Sequence, residues 1–208
     1  MHWTIDELKQ IFAQPLPGWE AQAQMAPPYR PNYTEEQIKN FNPKMSAVLV
    51  LFYQKQNEWH LVLIQRRAYE GVHSRQVSFP GGKQEYGETL QQTALRETQE
   101  EVGINPETVE LIGELTSFYI PPSNYVVYPF AGILQGEPHF KKQDYEVEEI
   151  LEIPISFFLD KKNRTTTIIH PAPTLSYEVP AFIFDGHIIW GATAIMLSEL
   201  IVLLKQYL

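Results

Sequence analysis

The sequence predicts an α/β protein in which a mixed β-sheet is flanked by helices, and three observations carry that prediction. Residues 47–52 and 59–64 are continuous apolar runs joined by a polar stretch, the pattern of a hairpin of central strands. Residues 89–103 form a helix pattern with its own start and stop signals. Residues 177–184 and 187–190 flank Asp185-Gly186, a strong two-residue hairpin turn. Sheet and helix therefore alternate along one chain, with hairpins among the strands.

Taken in order, the first element is a helix over 5–13, opened by Thr4 and Glu7 at capping-box spacing. A proline-rich arm follows through Pro15, Pro17, Pro27, Pro28, Pro31 and Pro43. Such an arm wraps a surface or a twin subunit and does not fold alone, so residues 1–44 are expected to join residues 45–208 in one unit. After the first hairpin, Phe79-Pro80-Gly81-Gly82 marks a tight loop where backbone can approach a ligand closely. Thr89 and Gln92 then open the long helix, and Gly103 occupies the place of a left-handed cap. Strands are expected over 109–119 and 125–134, around the loop Ile120-Pro121-Pro122-Ser123-Asn124. Residues 154–159 suit a short helix with proline in its first turn, and a last helix starts near Ala192.

Composition narrows the function classes. A chain of 208 residues with 44% hydrophobic and 20% charged residues is an ordinary single globular domain. Its formal net charge of −9 argues against a generic nucleic-acid or anionic-membrane surface. It has no cysteine, hence no disulfide, thiolate metal site or cysteine nucleophile. The apolar run over 195–208 is interrupted by Ser198, Glu199, Lys205 and Gln206, too short and broken to span a bilayer. With no N-terminal signal pattern, a cytoplasmic location is expected. There is no Gly-x-Ser-x-Gly or His-Glu-x-x-His, and Gly81-Gly82-Lys83 lacks the Ser/Thr of a phosphate loop.

The chemistry lies in the long helix. Glu97, Glu100 and Glu101 project from one arc of roughly 100°. Like charges at these spacings destabilise a bare helix by a few tenths of a kcal/mol per pair. A solvated acidic face is the ordinary outcome of such a run. Here a glycine loop precedes it, and Glu88 and Arg96 stand at fixed offsets, so divalent cations explain the cluster better. Leu90, Ala94, Leu95, Thr98 and Val102 fall on the neighbouring arc and are expected to pack the helix down, leaving the glutamates along its edge.

Gly82, Glu88, Arg96-Glu97, Glu100-Glu101 and Gly103-Ile104, at these spacings, resemble the Nudix box of Nudix hydrolases; Thr98 replaces a usual aliphatic residue on the packed arc. Just upstream, Arg66, His73, Gln76, Val77 and Phe79 to Gly82 resemble the motif of the coenzyme A pyrophosphatase subfamily. Arg67 and Arg75 depart from it, the latter standing where a glycine is usual; Arg75 either blocks close approach of substrate or adds a phosphate contact. Leu16-Pro17-Gly18, Ala21-Gln22, Met25-Ala26-Pro27 and Trp190 to Ala194 are also similar to this group, so the resemblance extends loosely beyond residues 61–104.

The resemblance implies an α/β/α sandwich over residues 45–208 and a site dependent on Mg2+ or Mn2+. Its metal ligands would be Glu97, Glu100, Glu101 and the carbonyl of Gly82. Glu146, with Glu149 as second choice, would add a carboxylate from outside the box. Catalysis would fall to Glu97, Glu100, Glu101 and Glu146, the general base remaining open among the last three. Arg66, His73, Arg75, Gly81 and Gly82 would meet substrate; Arg66 suits a phosphate contact or a structural ion pair equally. Arg96 and Glu88 would hold the glutamate array. The substrate implied is coenzyme A or an acyl derivative, cut to phosphopantetheine and adenosine 3′,5′-bisphosphate. ADP-ribose or a nucleotide sugar is the alternative, and a nucleotide-binding regulator without turnover is another. Arg66, Arg67, Arg75 and Lys83 are candidates for the 3′-phosphate, and Tyr119, Tyr125 or Tyr128 for stacking on adenine. The arm and the last helix suit either a homodimer or closure over their own domain.

Overall fold

The protein is described from a computed structural model, which covers residues 3–31, 33–68, 75–172 and 175–207. Helix α1 (Ile5–Phe12) opens as expected: Thr4 accepts the Glu7 N–H and the Glu7 carboxylate accepts the Thr4 N–H at 2.7 Å. Two short helices in the arm, α2 (Gly18–Gln22) and α3 (Glu35–Asn40), go beyond the sequence expectation. The second carries its own capping box of Thr34 and Gln37.

Strands β1 (Lys44–Lys55) and β2 (Glu58–Arg66) form the expected hairpin, tighter than the polar stretch suggested. Its turn is only Gln56-Asn57, both at positive φ, the geometry that matches strand twist. Short strands β3 (Val77–Ser78) and β4 (Gly81–Lys83) follow, then helix α4 (Leu90–Val102). The single strand expected over 109–119 is two, β5 (Val109–Glu114) and β6 (Phe118–Ile120), before β7 (Tyr125–Leu134). The acidic segment leads into an unanticipated strand, β8 (Val147–Pro154), and the short helix α5 (Ile155–Leu159) comes next. Strand β9 (Arg164–Ala172), also unanticipated, pairs with the hairpin of β10 (Leu175–Phe184) and β11 (His187–Trp190). Helix α6 (Gly191–Lys205) ends the fold.

Eight strands make one mixed sheet with the path β3-β2-β1-β7-β5; β4 pairs with β1, β6 with β7 and β8 with β2. The β1–β7 pair is parallel and the rest antiparallel. Strands β9 to β11 form a separate three-stranded sheet. Each face of β1 is buried, which is why its sequence is a continuous apolar run. Ala47, Leu49, Leu51 and Tyr53 pack in a cluster with Ala94 and Val102 of α4. Val50 and Phe52 pack on the other side with Leu8, Ile11 and Phe12 of α1, Phe158 of α5 and the buried residues of α6. Helices on both faces give the α/β/α layering.

One topological detail positions the site. Strands β1 and β2 pair only over Phe52 to Lys55 with Glu58 to Leu61. Beyond that they diverge, and the Pro80 to Lys83 segment enters the wedge: Leu49 donates its N–H to Pro80, and Gly81 and Gly82 face Val48 and Ala47. A Cβ on Gly81, at φ 156°, would overlap the Ala47 carbonyl, so only glycine permits this seating.

Candidate active site

Helix α4 lies across the inserted loop, fixed at both ends by its caps. The Thr89 hydroxyl accepts the Gln92 N–H and the Gln92 side chain accepts the Thr89 N–H; Gly103 ends the helix at φ 77°. Thr93, Ala94, Thr98 and Val102 are buried, and the Thr98 hydroxyl donates back to the Ala94 carbonyl at 2.7 Å. That bond satisfies the polar atom that the aliphatic-to-threonine departure brings into the core.

The three glutamates differ sharply in environment, which their shared arc did not reveal. Glu100 is open, its side chain 56% exposed, and pairs with Arg96 at 2.9 Å. Glu97 is 14% exposed; its carboxylate meets the same Arg96 nitrogen at 2.9 Å and lies against Gly82. A Cβ on Gly82 would overlap that carboxylate. Glu101 does not run along the edge of the packed face as expected but is turned into it, 1% exposed. The inserted loop packs under α4 here, and the Gly81 N–H donates to the Glu101 Oε2 at 2.8 Å. Its Oε1 lies 3.3 Å from the Arg66 guanidinium without hydrogen-bond alignment, leaving a buried carboxylate oxygen with no donor.

Arg96 and Glu88 are the frame expected of them. Glu88 accepts from Arg96 Nε at 3.1 Å and Nη2 at 3.0 Å, from the Thr93 hydroxyl and from the Glu85 N–H. The Arg96 hydrogen bonds first, then the Glu85 N–H and Thr93, hold the Glu88 carboxyl down near about 2. Arg66, besides facing Glu101, donates to the Gly81 carbonyl at 2.8 Å and to Ser78. Its contacts include the ion pair of one sequence reading, and its place in the wall of the cleft leaves the phosphate reading open.

A cleft of about 480 Å³ opens beside these groups, lined by Glu97, Glu100 and Glu146, by Gly81 and Gly82, and by Arg66, Lys83 and Arg96. Glu146 arrives from the loop before β8, its N–H donated to Gln143 and its carbonyl bonded by the Arg67 N–H. Burial chiefly raises the Glu97 carboxyl, with Glu100 and Glu146 adding to it against the pull of Arg96. Burial raises Glu101 to about 7, opposed by Arg66 and the Gly81 N–H and reinforced by Glu97 and Glu146. Glu146 is thus within electrostatic reach of both, whereas Glu149 turns away to His187 at 3.2 Å.

The other expected residues divide. Tyr125 lines the cleft, while Tyr119 stacks on Phe41 and Tyr128 packs on the α4 side of the sheet. Arg67 pairs with Glu148 at 3.6 Å. Arg75 lines not this cleft but an adjoining cavity, and its φ of 57° is the conformation a glycine would have supplied. His73 lies outside the described residues. Arg30, which borders that same cavity, had no signal in the sequence beyond a lone arginine among prolines.

Among the described residues no three His, Asp or Glu side chains are gathered as around a metal ion; the carboxylates pair with arginines, Glu97 and Glu100 sharing one Arg96 nitrogen and Glu101 facing Arg66. The donor set nevertheless fits hard divalent cations. It offers only oxygen, it includes a buried carboxylate oxygen lacking a donor, and it surrounds a glycine cradle with more negative charge than its arginines cancel. Among the described residues, too, no helix is long and apolar enough to cross a membrane.

Comparison with known proteins bears on this geometry. The model of the NUDIX domain matches residues 43–165. The Nudix hydrolase NudL of Citrobacter koseri is 33% identical over 167 residues, 78% of this chain and 83% of its own. The human mitochondrial coenzyme A diphosphatase NUDT8 is 33% identical over 128 residues, 61% of this chain and 54% of its own. Among solved structures, a MutT/nudix family protein from Enterococcus faecalis shares the fold, with a TM-score of 0.53 at 17% identity over 99% of this chain and 76% of that one. Nudix hydrolases generally need divalent metal ions. The matched segment is more than half of the chain and contains β1, the inserted glycines, α4 and Glu146, and so the protein belongs to the Nudix hydrolase family, pyrophosphohydrolases acting on nucleoside diphosphate-linked compounds.

Proposed function

We propose that the protein hydrolyses the diphosphate of coenzyme A or an acyl derivative, yielding phosphopantetheine and adenosine 3′,5′-bisphosphate, with Mg2+ or Mn2+ as its metal. One observation carries the reaction type: Glu97, Glu100 and Glu146 line a single cleft with the Gly81-Gly82 backbone, and behind it the buried Glu101 accepts the Gly81 N–H at 2.8 Å. The substrate reading is supported by the motif over Arg66 to Gly82 and by the likeness to the human coenzyme A diphosphatase.

Glu97, Glu100, Glu101 and the Gly82 carbonyl would hold the cations. When bound, these would neutralise the diphosphate and make a water more acidic. The chain's own residues do the rest. Gly81, lacking a side chain, seats the loop against β1, and Gly82 lets the Glu97 carboxylate lie against the loop backbone at the cleft wall. Arg96 keeps Glu97 and Glu100 oriented and is itself fixed by Glu88. Lys83 and Arg66 put positive charge along the wall where phosphate oxygens would lie. Glu146 or one of the helix glutamates takes the proton from the attacking water. The water oxygen bonds to one phosphorus, the bridging P–O bond breaks, and two phosphate monoesters leave. Positioning and charge supply most of the rate in such chemistry.

The test is a panel of diphosphate compounds incubated with magnesium, with products identified by mass. Coenzyme A should be cleaved well above ADP-ribose and nucleotide sugars. Preferential cleavage of one of those would transfer the assignment to it, and cleavage of none would leave a nucleotide-binding regulator. Glu97→Gln and Glu101→Gln should each lower kcat by at least about 100-fold, a few kcal/mol of barrier. Full activity in both would refute the proposed ligand set.

A further inference from the structure

Beside the acidic cleft lies a second cavity of about 750 Å³, and the two share Gln76, Ile120 and Ala192 in their walls. Their charges are opposite. The first is lined by four glutamates, Glu85, Glu97, Glu100 and Glu146. The second, in a chain carrying 25 acidic against 16 basic side chains, is lined by Arg30, Arg75 and His170 and by no Asp or Glu among the described residues. The remainder of its wall is chiefly proline, aromatic and aliphatic, including Tyr29, Phe118 and Trp190.

Arg30 is the unusual member. Its guanidinium lies 4.9 Å from the Phe118 ring centroid and 5.2 Å from that of Trp19, and one Nη donates to the Tyr119 carbonyl at 2.6 Å. Among the described residues neither Arg30 nor Arg75 has an ion-pair partner. Burial alone lowers Arg30 to about 10, which still leaves it charged at neutral pH. A half-buried guanidinium with most of its donor fork unspent is stabilised when an anion completes it. His170 is held at the rim by a 2.9 Å hydrogen bond between its Nδ1 and Ser176. Tyr29 packs at a tilt of 34° on Tyr177 of β10, ring centroids 4.1 Å apart, which docks the arm against the small sheet beside the cavity. Arg30, His170 and Trp190 all fall outside the segment common to the family model, whereas the charged residues of the acidic cleft fall inside it.

We propose that this cavity binds the non-reacting end of the substrate through a terminal phosphate monoester, gripped by Arg30 and Arg75, with an adjoining planar or apolar group on the aromatic wall. The diphosphate would lie in the acidic cleft and the second phosphate in the basic cavity, the substrate bridging the two across Gln76, Ile120 and Ala192. The assignment rests on the diphosphate-cleaving reading of the first cleft and specifies what distinguishes this enzyme's substrate from unphosphorylated analogues.

Binding without turnover separates the two readings. The affinities of adenosine 3′,5′-bisphosphate and adenosine 5′-monophosphate are measured by calorimetry on the metal-free full-length chain. The bisphosphate should bind at least about tenfold tighter, the scale of charge-assisted hydrogen bonds to one phosphate. Arg75→Gln, at an exposed position, and Arg30→Met, which keeps the packing between Trp19 and Phe118, should each erase most of that difference; Glu97→Gln should leave it. Phosphoserine, a phosphate monoester without a base, should bind far more weakly, reporting the wall's part. Equal affinity for the two nucleotides, no binding of either, or a ratio unchanged in both arginine variants overturns the proposal. Failure of coenzyme A cleavage with the ratio intact would instead refute the catalytic reading alone.

Discussion

Glu101 concentrates the conflict between folding and function in one side chain. Burial pushes its carboxyl up to about 7, against 4.5 for an unperturbed glutamate. Between those values the native chain holds a proton that the unfolded chain has released, so stability from this group falls as pH rises from 4.5 through 7 and is flat above. The loss is on the order of 3 kcal/mol. Chemical denaturation with chelator present should therefore show the wild type weaker at pH 8 than at pH 5. Glu101→Gln should flatten that dependence and be the more stable chain at pH 8. Added magnesium should restore the wild type and leave the variant unmoved; a variant with an unchanged pH profile would contradict the account. The i, i+3, i+4 spacing made the acidic arc legible from sequence alone. Spacing does not say from which side the sheet approaches, so the burial of Glu101 was not legible. Arg30 was less so, because its neighbours Trp19, Phe118 and Tyr119 are distant in the chain.

Among the elements, the legible ones carry local signals and the missed ones depend on distant partners. Helix α4 and the Asp185-Gly186 hairpin are written in caps and turn residues, whereas the Gln56-Asn57 turn was legible only as part of a polar stretch. Strand β8 was obscured because Glu148, Glu149 and Glu152 interrupt its apolar alternation, and its strand character comes from pairing with β2. Helix α6 shows the same dependence in its energetics. Its Glu199 is fully buried and accepts from the Gly18 N–H, the Thr116 N–H, the Thr116 hydroxyl and the Gln22 amide at 2.6–3.1 Å. One carboxylate thus clasps the arm and the β5–β6 connection to the last helix. Glu199→Ala would strand four donors, the Gln22 amide buried and the other three partly so, at a cost of about 3–5 kcal/mol. A fall in Tm of several degrees is expected, with Glu199→Gln intermediate since it keeps one acceptor oxygen. A loss under 1 kcal/mol would mean that water replaces the clasp.

At the scale of the molecule, we propose that the first 44 residues and the rest are one cooperative unit and not a domain with an appendage. Trp3 offers its carbonyl to the buried Trp59 indole N–H at 2.7 Å. Leu8, Ile11 and Phe12 lie in the same core cluster as Phe52 and α6, and the Phe12 ring meets Phe52 edge-on with centroids 5.8 Å apart. Gly113 is seated so closely on Phe12 that a Cβ there would collide with it. Each such side chain contributes roughly 1.5–3 kcal/mol by leaving water, so the four together rival the roughly 5–15 kcal/mol net stability of a whole domain. A chain lacking residues 1–13 should therefore show no cooperative thermal transition and bind an apolar dye, although every acidic residue of the cleft is retained. Phe12→Ala in the full-length chain should fold but lose about 3–5 kcal/mol, keeping the argument measurable if the shortened chain is insoluble. If the shortened chain melts cooperatively within a few degrees of the intact protein, α1 is an attachment, and the cavity between the arm and the small sheet loses the rigid support on which its selectivity would depend.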